Sequence, residues 1–168
     1  MREGDMKVYA PSTDPGSILP ILSQISLFGG FSEEQQSRIL SLLEGASFET
    51  GETIFSRGDE PTHLYIVKSG SVHLDVHEGE AFLQRRMLHV GECFGEASLM
   101  SMQRHTASAS AAEASEILVL SRRALIELHH ADVALFALLM MNTARELARR
   151  LRSTNQVLHH YVKDRPEH

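Results

Sequence analysis

Residues 91–111 read Gly-Glu-Cys-Phe-Gly-Glu-Ala-Ser-Leu-Met-Ser-Met-Gln-Arg-His-Thr-Ala-Ser-Ala-Ser-Ala, and their types and spacing suit the cradling of an anion. Phe94 stands between two glycines, and Gly95 opens a short run of Glu96, Ala97 and Ser98 that suits a single helical turn. The first N–H groups of such a turn have no acceptor within it and attract negative charge. A second run of small residues, from Thr106 to Ala111, leaves room for a ligand to lie against bare backbone, and Arg104 and His105 stand between the two runs. A carboxylate beside an anion site is repulsive unless it has a separate task, and accepting a hydrogen bond from a sugar hydroxyl gives Glu96 that task. Small nucleotides carry the phosphate and the hydroxyl together.

The segments around this cradle predict a mainly β domain with flanking helices. From Ala46 to Ser121 short apolar stretches are punctuated by glycines at 51, 58, 70, 79 and 91, the spacing of an all-β fold. Val72, Leu74 and Val76 alternate with His73, Asp75 and His77, so one face of that strand is buried and the other wet, with turns at Ser69-Gly70 and near Glu78-Gly79. Ile117-Leu118-Val119-Leu120 is a continuous apolar strand, as in a jelly-roll barrel closing on itself.

Helices bracket the strands. Residues 1–16 carry charges, Pro11, Pro15 and Gly16 without periodicity and read as a flexible lead-in. Ile18, Ile21, Leu22, Ile25 and Leu27 fit a short amphipathic helix that tolerates Pro20 in its first turn and ends at Gly29-Gly30. Ser32, with Gln35 at the capping-box position, starts a second helix that Gly45 stops. Ser121 caps a third, running to about His129.

The last and longest helix spans about Asp132 to Val162. Val133, Ala137, Met140, Ala144, Leu147, Leu151, Thr154, Leu158 and Tyr161 recur at spacings of four and three, a heptad seam. Leu135, Phe136, Leu138, Leu139 and Met141 lie outside the seam and are available to cover the barrel, whereas the later half is polar outside the seam. A second copy of the same helix is the simplest partner for that half.

Composition narrows the function further. A chain of 168 residues suits one domain, and a net charge of −6 argues against broad attraction to nucleic acid or an anionic membrane. Cys93 is the single cysteine, which excludes an intrachain disulfide, suits a reducing, cytoplasmic setting and reads as a buried structural thiol. No signal peptide or membrane span is expected, since the apolar run Val133–Met141 is about half the length of a span. Ser98, His105 and Glu96 can be drawn as nucleophile, base and orienter, but nothing fixes their geometry and no enzyme is expected. The pairs His129-His130 and His159-His160 diverge by about 100° on a helix and make no chelating pair, so no metal or cofactor is expected.

Phe94-Gly95-Glu96, a basic position nine residues beyond Glu96, and Thr106-Ala107-Ser108 after it resemble the phosphate-binding cassette of the cyclic nucleotide-binding domain family. The likeness continues through Gly51, Ile54, Gly58, Leu64-Tyr65-Ile66-Val67, Gly70 and Val72 and covers about residues 25–162. It implies a jelly-roll domain over residues 17–130, a dimerisation helix over 131–162, a homodimer formed through residues 133–161, and a short tail over 163–168. Cyclic AMP is the ligand it implies, with cyclic GMP the alternative. The contacts it implies are backbone N–H groups of Gly95 to Ala97 and of Thr106 and Ala107 on the phosphate, and Glu96 on the ribose. The long helix, with Arg149-Arg150-Leu151 before Thr154-Asn155, resembles the dimer helix of the family's DNA-reading activators, where the positions of Thr154 and Asn155 meet the base. After Val162 come six residues, where such activators continue into a DNA-binding domain, so direct DNA binding is not expected and the output goes to an unknown downstream protein.

One position departs from the pattern: His105 stands where the family has an arginine on the phosphate, with Arg104 one residue earlier. A charge-assisted hydrogen bond contributes roughly 1.5–3 kcal/mol, so the exchange weakens binding by about one to two decades. Arg104 swings in to replace it, His105 binds as imidazolium, or His105 sits at the barrel surface. Glu96 has a second role open to it, as a structural partner of Arg150, and Thr154 a second as a polar residue setting the register of the seam. The alternatives for the whole chain are a degenerate jelly roll serving as a dimeric scaffold, and a sensor of another anion or of haem.

Overall fold

The structure, a computed structural model, describes residues 8–9, 25–78 and 81–163, with side chains at residue 9, 25–76 and 84–156. Nine strands are described: β1 (Val8–Tyr9), β2 (Glu44–Phe48), β3 (Thr53–Phe55), β4 (His63–Ser69), β5 (Val72–Glu78), β6 (Ala81–Leu88), β7 (Cys93–Phe94), β8 (Ala107–Ala111) and β9 (Ser115–Ser121). They form two antiparallel sheets, ordered β1-β2-β9-β4-β7 and β3-β8-β5-β6. This is the jelly roll that the strand spacing predicts, built as two facing sheets instead of one closed ring.

The helices are α1 (Glu33–Leu40), α2 (Glu96–Ser101), α3 (Arg122–Ala131) and α4 (Val133–Lys163), preceded by a 3₁₀ turn at Ser26–Phe28. The helix expected from residue 17 lies outside the described residues apart from its end, where that turn is found. Val8–Tyr9, within the expected lead-in, adds a short strand to the edge at β2.

The continuous apolar strand at 117–120 runs through the middle of the larger sheet, and both of its faces are covered. Ile117 and Val119 enter the core between the sheets with Phe55, Tyr65 and Phe94, while Leu118 and Leu120 enter a second core beneath the helices with Ile25, Leu27, Ile39, Leu135 and Leu139. β4 does the same, Tyr65 and Val67 facing one core and Leu64 and Ile66 the other. A strand covered on both faces loses its alternation, which is why these two read as unbroken apolar runs.

Local signals set the helix starts. Ser32 accepts from the Gln35 N–H at 3.3 Å while the Gln35 side chain accepts from the Ser32 N–H at 2.9 Å, completing the capping box. Ser121 accepts from the Ala124 N–H at 3.1 Å, and Asp132 caps the long helix by accepting from the Leu135 N–H at 2.9 Å.

Gly45 has a different role from the one expected. α1 already ends at Leu40, and Gly45 sits inside β2, where an added Cβ would lie 2.5 Å from Cε2 of Tyr9. The Tyr9 ring of β1 occupies the space that a side chain would take. Met141 also departs from expectation: at 52% exposed it does not cover the barrel, whereas Leu135 and Leu139 are fully buried.

Gly70 carries the chain from β4 in one sheet to β5 in the other with φ of +79°, and a Cβ there would stand 2.3 Å from Ser115 Oγ and 2.6 Å from the Ala114 carbonyl. Gly70→Ala combines left-handed strain with that overlap and is expected to cost about 2–4 kcal/mol. Urea unfolding of the variant measures it; a loss under half a kcal/mol would contradict the assignment.

Candidate functional site

The cassette begins where β7 ends. β7 pairs with β4 through Tyr65–Phe94 and Ile66–Cys93, which seats its last residue over the core between the sheets. Gly95 then turns the chain into α2 with φ of +79°; a Cβ there would meet Tyr65 Cδ2 at 2.8 Å and the His63 carbonyl at 3.2 Å, so glycine alone fits this approach.

The turn sinks Glu96 to 2% exposure, and an arginine from the far end of the chain reaches it. Arg150 of α4 donates through Nη1 to Glu96 Oε1 at 2.5 Å, through Nη2 to the Cys93 carbonyl at 2.5 Å, and through Nε to Glu146 Oε1 at 3.1 Å. One guanidinium thereby ties the end of β7, the first residue of α2 and the long helix together. Glu96 Oε2 is equally buried and, among the described residues, accepts no hydrogen bond. Leaving a buried acceptor unpaired costs on the order of 1–3 kcal/mol, more when it is charged.

Burial pushes the Glu96 carboxyl above the ordinary glutamate range, and the Arg150 charge counters only part of this. Burial alone would lower the Arg150 guanidinium, but attraction to Glu96 first, then to Cys93 and Glu146, holds it above the usual arginine value. Burial pushes the Cys93 thiol up to about 12, with the Glu96 charge adding to the effect, which makes it the neutral structural thiol expected.

The two candidates for the phosphate cation part company. His105 is 3% exposed and its ring stacks on Phe55, with centroids 3.8 Å apart and planes inclined by 11°. This corrects the reading that places His105 at the barrel surface; the aromatic floor of Phe55, Tyr65 and Phe94 draws the imidazole inward. Arg104 faces outward, its side chain 65% exposed, donating to the Gly58 carbonyl at 2.7 Å and to Glu60 at 3.0 Å. Ala107, in the second half of the cassette, begins β8 opposite Val76.

Thr154 and Asn155 lie exposed on α4, about a turn beyond Arg150, and Thr154 Oγ1 bonds the Arg150 carbonyl at 3.0 Å. Along the seam Val133, Ala137, Ala144, Leu151 and Thr154 are exposed and Met140 and Leu147 half-buried, while the side chains of Leu158 and Tyr161, like those of His159 and His160, lie outside the described residues.

Two further features escape sequence reasoning. Asn142 of α4 is buried and donates to the Leu27 and Gly29 carbonyls at 3.0 and 2.9 Å, and Ser26 Oγ donates to Glu146 Oε2 at 3.0 Å, so the 3₁₀ turn clasps the same helix that Arg150 holds. Arg86 of β6 bonds Glu92 Oε1 at 2.5 Å close to the cassette, and its charge is felt at Glu96. Neither belongs to a motif, and only the pairing of distant segments exposes them.

The whole is a jelly roll whose glycine-led cassette buries Glu96 against the long helix. The comparisons with known proteins agree: the sequence model of the cyclic nucleotide-binding domain matches residues 46–132, and the chain belongs to that family. It is 36% identical over 130 residues to the cyclic AMP receptor protein of Thermus thermophilus, covering 77% of this chain and 58% of that protein. It spans less than a fifth of the next two relatives, potassium channels of Arabidopsis thaliana. The crystal structure of the Thermus thermophilus catabolite activator protein superposes with a TM-score of 0.71 at 34% identity, over 82% of this chain and 63% of that one. A cyclic nucleotide-binding domain from Methylobacillus flagellatus shares the fold with a TM-score of 0.77 at 24% identity, over 90% of this chain and 85% of that one.

Because the Glu96 carboxyl is raised above 4.5, its contribution to stability is full below that ordinary value and is lost as pH rises through the raised one. Glu96→Gln, uncharged throughout, is expected to remove that loss, so the melting-temperature profile of the variant should fall less than that of the wild type between pH 4.5 and neutrality. Parallel profiles would contradict the buried-acid assignment.

Proposed function

We propose that this chain is a regulatory module that binds a cyclic nucleotide and conveys its occupancy through α4 to a partner protein. The observation that carries this reading is the buried, unaccompanied Oε2 of Glu96, beside an Oε1 already held by Arg150 of the long helix. A ribose hydroxyl donating to Oε2 satisfies the acceptor that the fold leaves open. The phosphate then lies against the N–H groups of Gly95 to Ala97 and of Thr106 and Ala107, with His105 as its nearest ring, and Thr154 and Asn155 close over the base.

Transmission follows from the shared carboxylate. A ligand that fixes Glu96 also fixes the seat of Arg150, and so biases how α4 lies on the domain. An apolar groove of about 330 Å³, lined by Leu99, Met100, Leu125, Phe136 and Met140, lies where α2, α3 and α4 meet. The ligand moves this equilibrium only as far as its affinities for the two arrangements differ. Cyclic AMP is the ligand that likeness to a cyclic AMP receptor puts first, and cyclic GMP presents the same phosphate and ribose.

The exposed seam of α4, with Val133 at 60% and Leu151 at 62% exposure, supports a homodimer along that helix. The same seam, together with histidine in place of the phosphate arginine, favours the second reading, a dimeric scaffold whose barrel holds nothing.

Calorimetric titration of the full chain with cyclic AMP and cyclic GMP decides between the two. Binding at micromolar or tighter affinity is expected, and His105→Arg should tighten it by about a decade or more; silence from both proteins leaves the scaffold. Sedimentation at micromolar concentration should give twice the 18.7 kDa chain mass, and Leu151→Glu should return it to a single chain. A wild-type protein sedimenting as one chain would remove the dimer.

A further inference from the structure

The apolar groove where α2, α3 and α4 meet carries two side chains that the chain itself does not use. The first is Met102, which lines the groove with Ile126 and with the half-buried Met100 and Met140; Met102 is 66% exposed and Ile126 52%. Met102 ends α2 in the left-handed region, at φ of +57°, and among the described residues no other non-glycine residue has a positive φ. Glycine takes that conformation without strain and is the usual residue at a helix end. A methionine kept there gives up stability for an apolar side chain left largely in solvent.

The second is Arg122, the first residue of α3, which lines the same groove. Its backbone is fixed, the N–H donating to the Thr62 carbonyl at 2.8 Å. Its side chain is half-buried with Nε out of contact with solvent, yet among the described residues the guanidinium makes no hydrogen bond and no ion pair. Arg123 beside it shows the opposite: 89% exposed, it is paired with Glu127 at 2.8 Å. The cation that most needs an anion is thus the one without one, since a guanidinium withdrawn from water is costly until something answers its charge.

We propose that this groove docks an acidic amphipathic helix of a partner protein, which seats apolar side chains between Met102, Ile126 and Met140 and places a carboxylate on Arg122. The inference deepens the partner-protein reading above and rests on it. Charge chooses the occupant: an apolar segment without an acid would leave Arg122 further desolvated and still unanswered, and a basic one would oppose it. Methionine side chains are flexible and polarizable and mould to an apolar helix face. The groove also shares a helix with the cassette, because α2 begins at Glu96 and ends beside Met102, so its wall is continuous with the proposed ligand acceptor.

The test is fluorescence anisotropy of a fluorescein-labelled peptide helix of about fourteen residues, leucine on one face and glutamate on the other, beside the same helix with lysine for glutamate. The full-length wild type is expected to bind the glutamate helix about tenfold or more tighter than the lysine helix, and Arg122→Leu should lower that ratio about tenfold. Met102→Gly should weaken both helices alike. Thermal melting gives a readout free of any peptide: Arg122→Leu and Met102→Gly should each melt no lower than the wild type, since the chain answers neither side chain. A lower melting temperature for Arg122→Leu shows the guanidinium to be satisfied within the chain and overturns the proposal. Equal affinity for the two helices, a ratio unchanged by Arg122→Leu, or binding of neither helix overturns it as well. A wild-type dimer that Ile126→Glu dissolves and Leu151→Glu does not assigns the groove to a second copy and also overturns it. Nucleotide binding without helix binding removes this docking face alone, whereas helix binding with calorimetric silence toward both nucleotides keeps the face and removes the sensor.

Discussion

The contact on which the arrangement depends is the three-way grip of Arg150 on Glu96, the Cys93 carbonyl and Glu146. It joins residues more than fifty positions apart and does so out of water, where a charge left alone is expensive. Removing either partner would strand the other, so the pair commits the cassette and the long helix to one relative placement. Among the described residues the second oxygen of Glu96 has no partner in that placement, so under the proposed function the same carboxylate serves as a structural tie and as a ligand acceptor. These two roles do not compete, since each uses a different oxygen.

The scaffold around the grip explains how a small domain holds such a polar cluster. β4 and β9 run through the middle of the larger sheet with both faces buried, giving the cassette a stiff wall on one side and the helices a stiff floor on the other. The 3₁₀ turn adds a clasp, because the buried amide of Asn142 satisfies two carbonyls that helix termination leaves open. Burying Leu135 and Leu139 contributes about 1.5–3 kcal/mol each and fixes the near half of α4 to the domain. Its far half carries exposed seam residues that the single chain leaves uncovered.

Histidine at position 105 changes the character of the cassette's inner wall. An arginine there would bring a permanent charge onto the aromatic floor; the imidazole instead lies flat on Phe55 as one more ring of the cluster. Arg104 does not compensate, being drawn outward by Glu60 and the Gly58 carbonyl. Arg86, on another strand, is paired with Glu92.

Much of this was legible in the residues alone. Caps at Ser32 and Ser121, glycine punctuation of the strands, the seam of α4 and the cassette itself are local patterns, and local backbone chemistry decides them over a few residues. Gly45 misled because a glycine after a helical stretch looks like a stop until a ring from another strand is found lying on it. The burial of His105 and the outward turn of Arg104 depend on which segments pack together, Phe55 of β3 under the imidazole and Gly58 and Glu60 beside the guanidinium. Sequence therefore determined the elements and the family of the site. Only the packed structure decided which side chains share an enclosed space, because enclosure is produced by contacts between segments far apart in the chain, where no local preference reaches.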